Sequence, residues 1–100
     1  MSHQVIKDSL EKSMSYQEYS NLVNKLTETE GTTGAEQTEA LIGYTKLNQR
    51  RMKRWDKTVK ISEEAKTFVS GLQHQMTWLV ITESWCGDAA HIVPVINKLA

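Results

Sequence analysis

The chain has 100 residues, 12 of them basic and 12 acidic, so its formal net charge at pH 7 is zero. This length predicts one domain with a modest core, and the balanced charge indicates no general preference for nucleic acid or acidic surfaces. The single cysteine excludes an internal disulfide and a cysteine-ligated zinc or iron–sulfur site within one chain. No metal or cofactor is predicted, because His3 and His74 have no partner at metal-ligand spacing.

The N-terminal quarter shows neither a signal peptide nor a membrane-spanning pattern. Residues 1–25 contain no unbroken apolar stretch, which both kinds of segment require. We therefore expect a cytoplasmic protein without a membrane partner, and a lone thiol fits that reducing compartment.

Helical patterns dominate the chain up to residue 72. Ser15 and Glu18 have the spacing of a capping box, which predicts a helix from about Tyr16 to about Glu30, stopped by Gly31. Three further helices are predicted from apolar stripes. These stripes are Val5, Ile6, Leu10 and Met14; Leu41, Tyr44, Leu47, Met52, Trp55 and Val59 in a helix over about 36–57; and Ala65, Phe68, Val69 and Leu72 behind an N-cap at Ser62.

Two intervening segments have competing interpretations. The segment Gly31–Gly34 is predicted to be a connector between helices, because no nucleotide-binding glycine pattern is present. The basic segment Lys46–Lys60 is either a solvated helix face that pairs with acidic residues of the first 45 positions, or a footprint for a polyanion. No interleaved aromatic pattern accompanies the bases, so we favour the solvated face.

The last quarter carries the most specific pattern. The nearly continuous apolar run Met76–Thr82 predicts a strand buried on both faces, as in parallel sheets. Glu83 and Ser84 then lead through a tight turn into a helical pattern that contains Pro94. The cysteine lies at the start of that helix, where unpaired N–H groups and the helix dipole favour a negatively charged sulfur. The turn reads Trp85-Cys86-Gly87-Asp88-Ala89.

This turn resembles the active-site turn of the thioredoxin family, which is usually Trp-Cys-Gly-Pro-Cys. Pro94, eight residues after Cys86, matches the proline that kinks the active-site helix in that family. The resemblance implies an α/β, thioredoxin-like fold of a bacterial type, with a helical N-terminal extension over 1–75 and the start of the thioredoxin-like domain over 76–100. The chain is accordingly expected to be an N-terminal fragment, because the other strands and the cis-proline loop of that fold are missing.

Differences from the family pattern limit the chemistry that the resemblance implies. Ala89 stands where the second cysteine would be, and Val80 stands where thioredoxins generally keep a buried acid. Glu83 is a candidate replacement for that proton relay. Asp88 replaces the usual proline, and we interpret it as a helix cap, with tuning of the Cys86 thiol as the alternative.

Two functions follow from the resemblance. The first is monothiol disulfide exchange, or a redox-responsive cysteine, in which Cys86 is the nucleophile and an external thiol such as glutathione releases it. Its partners would be protein or small-molecule disulfides. The second is a non-catalytic, thioredoxin-fold interaction or scaffold module that has lost redox chemistry.

Overall fold

The structure is a computed structural model that describes residues 2–72 and 75–100. Within these residues the protein is all-helical and contains no β-strand. The predicted α/β class is therefore wrong for the described part of the chain. The helices are α1 (His3–Glu11), α2 (Tyr16–Glu28), α3 (Glu39–Thr58), α4 (Glu63–Ser70) and α5 (Gly87–Leu99).

The run Met76–Thr82 does not form the predicted buried strand. Trp78 is 63% exposed and Ile81 is 74% exposed. A strand obtains its backbone hydrogen bonds from a neighbouring strand, and the described residues offer no second one to this run. High β-propensity without a partner therefore leaves an irregular, exposed segment. His74, expected to be exposed before this strand, lies outside the described residues.

Side-chain caps begin the helices, and those of α2 and α4 stand where the sequence predicts them. The Ser15 hydroxyl accepts from the Glu18 N–H at 3.1 Å, and the Ser15 N–H donates to Glu18 Oε1 at 3.3 Å, so the predicted capping box is confirmed. Thr38 and Ser62 each accept from the backbone N–H three residues later. Each cap satisfies a donor that the first turn leaves unpaired.

The end of α2 differs from the prediction. The helix ends at Glu28, and Glu30 adopts the left-handed conformation with φ 55°. The Gly31 N–H then donates to the Leu26 carbonyl at 2.7 Å, which closes the helix end in the manner of a Schellman motif. Glutamate thus occupies the position where glycine is usual.

The core lies where α3 packs between α2 and α5. It is small: Val23, Met52 and Ala90 form its buried apolar cluster, and Tyr16 and Tyr19 pack against them. The Cα radius of gyration, 15.2 Å, exceeds the roughly 13 Å typical of a 100-residue domain. Many large apolar side chains are accordingly exposed, among them Phe68, Met76 and Ile81.

The predicted apolar stripes of α3 and α4 are only partly correct. On α3 the buried positions are Thr45, Asn48 and Met52, whereas Tyr44 is 54% exposed. On α4 no residue is buried, and Phe68 is 72% exposed. The face of α3 that turns inward is therefore largely polar, which an apolar periodicity cannot reveal.

The basic segment of α3 is mainly solvated. Lys46 forms an ion pair with Glu30 at 3.3 Å, which agrees with the predicted pairing to acidic residues of the first 45 positions. The other bases, apart from the half-buried Arg51, are exposed: Arg50, Lys53, Arg54, Lys57 and Lys60. None of the helices in the described ranges is long and apolar enough to cross a membrane.

Candidate functional site

Cys86 is the N-cap residue of α5. Its backbone is extended (φ −79°, ψ 113°), its N–H donates to the Glu83 carbonyl at 3.0 Å, and its own carbonyl accepts from the Ala90 N–H at 3.2 Å. The thiol makes no capping hydrogen bond and the residue is half-buried. The backbone of Cys86 is therefore fixed at both ends while its side chain remains partly accessible.

A buried cluster of three hydroxyl groups anchors the turn before Cys86. Ser84 Oγ lies 2.9 Å from Thr45 Oγ1 and 3.1 Å from Thr32 Oγ1, and the two threonine oxygens are 2.7 Å apart. All three residues are at most 3% exposed. Gln37 holds the Thr32 backbone on both sides, accepting from its N–H at 3.2 Å and donating to its carbonyl at 2.9 Å.

The predicted connector, Gly31–Gly34, contacts the same turn directly. The Thr33 N–H donates to Ser84 Oγ at 3.0 Å, and Thr33 Oγ1 accepts from the Ser84 N–H at 2.8 Å. The Thr33 hydroxyl also donates to the Glu83 carboxylate. Gly34 has φ 86°, and a Cβ there would lie 3.4 Å from Glu83 Oε2. The segment is therefore a support for the cysteine turn as well as a connector.

Helix α3 holds the other side of the turn through Asn48 and Arg51. Asn48 Nδ2 donates to the Ser84 carbonyl at 2.9 Å, and Arg51 Nη1 donates to Asn48 Oδ1 at 3.0 Å. A Cβ added to Gly87 would lie only 3.1 Å from Arg51 Nη1. The guanidinium therefore rests against the residue next to Cys86, and glycine permits this approach.

Tyr19 of α2 packs against the buried apolar cluster. Burial raises the pKa of Tyr19 above its ordinary value of 10.0. The hydroxyl of Thr82 lowers that pKa, while the charge of Glu83 raises it further. The phenol therefore stays protonated at neutral pH.

The predicted residues of the active-site turn differ in their exposure to solvent and in their place relative to α5. Trp85 is 38% exposed, Ala89 is half-buried, and Pro94 lies buried in the interior of α5. Asp88 is exposed in the first turn of α5, and the N-cap is Cys86. The interpretation of Asp88 as the helix cap is therefore wrong, although its charge complements the positive end of the helix.

Glu83, the candidate for proton transfer, and His91 each have a hydrogen-bond partner of their own. Glu83 is half-buried and bound by the Thr33 hydroxyl, and Val80 is 43% exposed. His91 Nδ1 accepts from Trp55 Nε1 at 2.9 Å, and the two rings stack edge to face with their centroids 6.2 Å apart. His91 therefore has its partner on α3.

Four residues that sequence reasoning did not connect with the site form hydrogen bonds with Ser84 of the cysteine turn. The sequence did contain a signal on α3: Thr45, Asn48 and Met52 stand at positions i, i+3 and i+7, which share one helix face. A polar pair on an inward face needs buried partners, and these lie in distant segments. The residues are Thr32, Thr33, Thr45 and Asn48.

No metal site accompanies this arrangement in the described ranges. Residues 2–72 and 75–100 contain no group of three or more His, Cys, Asp or Glu side chains that could hold an ion. The chemistry that the site itself offers is that of a half-buried thiol at the start of α5, followed in the chain by a glycine that a guanidinium approaches.

Comparison with known proteins gives one match. Residues 34–100 match the model of a protein family described as Thioredoxin. No curated protein and no solved structure matches the chain. The matched span contains α3, α4, the cysteine turn and α5, and it begins inside the segment predicted as an N-terminal extension.

Proposed function

The chain belongs to the thioredoxin family, and on this premise we propose that it is a thiol protein that exchanges disulfides through Cys86 alone. The observation that carries the proposal is the position of this thiol. It is half-buried at the N-cap of α5, with no capping hydrogen bond of its own. A partly accessible thiol on a fixed backbone is the arrangement that nucleophilic attack requires.

The proposed reaction has two steps. The Cys86 thiolate attacks one sulfur of a disulfide, a new S–S bond forms, and the old S–S bond breaks. Cys86 is oxidised in this step, while the departing sulfur leaves as a thiolate and takes a proton from water. An external thiol of the glutathione class then attacks the mixed disulfide, restores Cys86 and carries the bound half away as a second disulfide.

The external thiol is needed because of Ala89. A dithiol oxidoreductase of this family resolves the mixed disulfide with a second cysteine in the turn, and this chain has a methyl group there. Release of the substrate therefore depends on the surrounding thiol pool, which fits the proposed cytoplasmic location.

A second candidate function is a non-catalytic interaction module. It is favoured by the exposed apolar side chains of the segment before the turn, among them Met76, Trp78 and Ile81 at 61–74% exposure. Exposed apolar clusters of this kind commonly mark contact surfaces.

The reactivity of Cys86 in the folded chain decides between the two candidates. Mixed disulfide formation with the neutral reagent bis(2-hydroxyethyl) disulfide is followed by mass spectrometry, for the native chain and for the chain unfolded in urea. Exchange chemistry predicts that the native thiol reacts faster than the unfolded thiol, and that added glutathione removes the adduct. Cys86→Ser should give no adduct. A native thiol slower than the unfolded one supports the interaction module.

A further inference from the structure

Arg51 carries a feature that the proposed exchange reaction does not use. Its guanidinium lies against Gly87, the residue that follows the nucleophile, at a separation of 3.1 Å from the place of a Gly87 Cβ. Arginine remains charged at any physiological pH. A permanent positive charge therefore stands beside Gly87, the residue that follows Cys86 in the chain.

A hydrogen bond to Asn48 fixes the orientation of the guanidinium. Arg51 Nη1 donates to Asn48 Oδ1, and Asn48, 1% exposed, donates in turn to the Ser84 carbonyl. The same asparagine thus holds the arginine and the cysteine turn. Movement of one relative to the other is restricted, so the charge has a defined position relative to the nucleophile.

Most of the hydrogen-bonding capacity of Arg51 is not directed at an acid of this chain. A guanidinium has five N–H donors in a planar fork. Within residues 2–72 and 75–100 the ion pairs are Lys46–Glu30 and Lys66–Glu63, and neither involves Arg51. The residue is half-buried, so solvent screens its charge less than it screens the fully exposed bases of α3.

Two acidic residues near the turn are placed differently. The Glu83 carboxylate accepts from the Thr33 hydroxyl and lies beside Gly34. Asp88 is exposed on the first turn of α5, where water screens its charge. Neither forms an ion pair with Arg51 by the distance between their charged atoms.

From this placement we infer that Arg51 is the specificity-determining residue of the site and selects disulfides that carry a carboxylate close to the scissile bond. The inference rests on the proposed exchange function of Cys86. The planar fork of arginine matches a carboxylate in two parallel hydrogen bonds. A substrate carboxylate held there places its disulfide over Cys86, and attack then proceeds by the exchange step given above.

The test compares three small disulfides of different charge on the full 100-residue chain. The probes are dithiodipropionate, which is anionic, cystamine, which is cationic, and the neutral bis(2-hydroxyethyl) disulfide. Second-order rate constants for adduct formation are measured at low and at high ionic strength, and the readout is the anionic-to-cationic ratio. Because the substrate carboxylate is held in direct contact with the guanidinium, removing that charge should lower this ratio at least about threefold at low salt.

Four chains are compared: wild type, Arg51→Gln, Arg51→Lys and the control Arg54→Gln, which removes an exposed charge from the same helix. The ratio should fall in Arg51→Gln, recover in part in Arg51→Lys, and stay at the wild-type value in Arg54→Gln. High salt should lower the wild-type ratio and leave that of Arg51→Gln nearly unchanged. Loss of turn structure alone would slow all three probes alike, so the ratio separates recognition from folding.

The outcomes distinguish the two proposals. If all variants react with the neutral disulfide and the ratio is the same in wild type and Arg51→Gln, the selectivity inference is overturned and the exchange function stands. If Arg51→Gln loses its helical circular dichroism, a salt-independent ratio in wild type and in Arg51→Lys overturns the inference equally. If native Cys86 reacts with none of the probes, the exchange function fails and the inference fails with it.

Discussion

Asn48 Nδ2 donates to the carbonyl oxygen of Ser84 at 2.9 Å, joining the middle of α3 to the turn that presents Cys86. Both residues are at most 3% exposed. A buried carbonyl that loses its only side-chain donor keeps the cost of its desolvation. This contact therefore couples the stability of the core to the geometry of the site.

Replacing Asn48 should test that coupling. Asn48→Ala leaves the Ser84 carbonyl and the Arg51 guanidinium without this partner, so the free energy of unfolding should fall by about 2 kcal/mol. The rate of Cys86 adduct formation should change in the same variant. Urea unfolding and the neutral disulfide assay measure the two effects. Asn97→Ala, at an exposed position of α5, is the matched control. Equal stability of the two variants would contradict the prediction.

The hydroxyl cluster offers a more conservative change. Thr45→Val keeps the shape of the side chain and removes one of the three hydroxyls, while Thr32 and Ser84 remain 3.1 Å apart and still bond to each other. The loss should therefore be modest, about 1 kcal/mol of unfolding free energy. Thr67→Val at an exposed position of α4 should change stability by less than about 0.5 kcal/mol. A Thr45 variant as stable as the Thr67 variant would show that the cluster contributes no net stability.

Two glycines should respond in opposite ways to the same substitution. Gly43 lies within α3 and a Cβ there meets no atom within 4 Å, so Gly43→Ala should raise the unfolding free energy by about 0.5–1 kcal/mol. Gly87→Ala also adds a helix former, but its Cβ displaces the Arg51 guanidinium. It should stabilise less than Gly43→Ala and lower the anionic-to-cationic ratio of Cys86 reactivity. An unchanged ratio would argue against a functional contact between Arg51 and the turn.

The left-handed residue at the end of α2 should tolerate glycine. Glu30 has φ 55°, a conformation that is strained for residues with a Cβ. Glu30→Gly should raise the unfolding free energy by about 0.5 kcal/mol, because the strain relieved exceeds both the entropy of the unfolded glycine and the exposed ion pair to Lys46. Glu28→Gly, within the helix, should instead lower it by about 1 kcal/mol. Thermal unfolding of the two variants decides the sign.

The alkaline limit of stability should depend on Tyr16. Its hydroxyl donates to both Asp56 oxygens at 2.8 and 3.0 Å. Burial first, and then the hydrogen bond and charge of Asp56, raise the pKa of Tyr16 well above its ordinary value of 10.0. Because the folded-state pKa exceeds the unfolded one, the stabilisation is complete below about pH 10 and is lost as the pH rises toward the folded pKa.

The measurement is the unfolding free energy from pH 8 to pH 12. That free energy should fall with pH above about 10 in the wild type, and more shallowly in Tyr16→Phe. Tyr44 is 54% exposed, so Tyr44→Phe should keep the wild-type dependence of the unfolding free energy on pH. Parallel curves for all three chains would exclude Tyr16 as the titrating group.

Local signals in the sequence were sufficient for the helix starts and for the family. Capping depends on residues three positions apart, so Ser15 with Glu18, and Ser62 before α4, could be predicted without tertiary information. The turn around Cys86 resembles the thioredoxin family because of contiguous residues, and the family match over residues 34–100 agrees with it. Both signals come from residues that lie close together in the sequence.

Only the tertiary structure decided what supports the cysteine and what the β-prone run does. Thr32, Thr45 and Ser84 meet across 13 to 52 residues of sequence, and hydroxyl groups leave no periodic pattern that would predict such a meeting. The run Met76–Thr82 has strand propensity, but a strand exists only when a second strand accepts its hydrogen bonds. Both features depend on partners distant in the chain, and local propensity carries no information about distant partners.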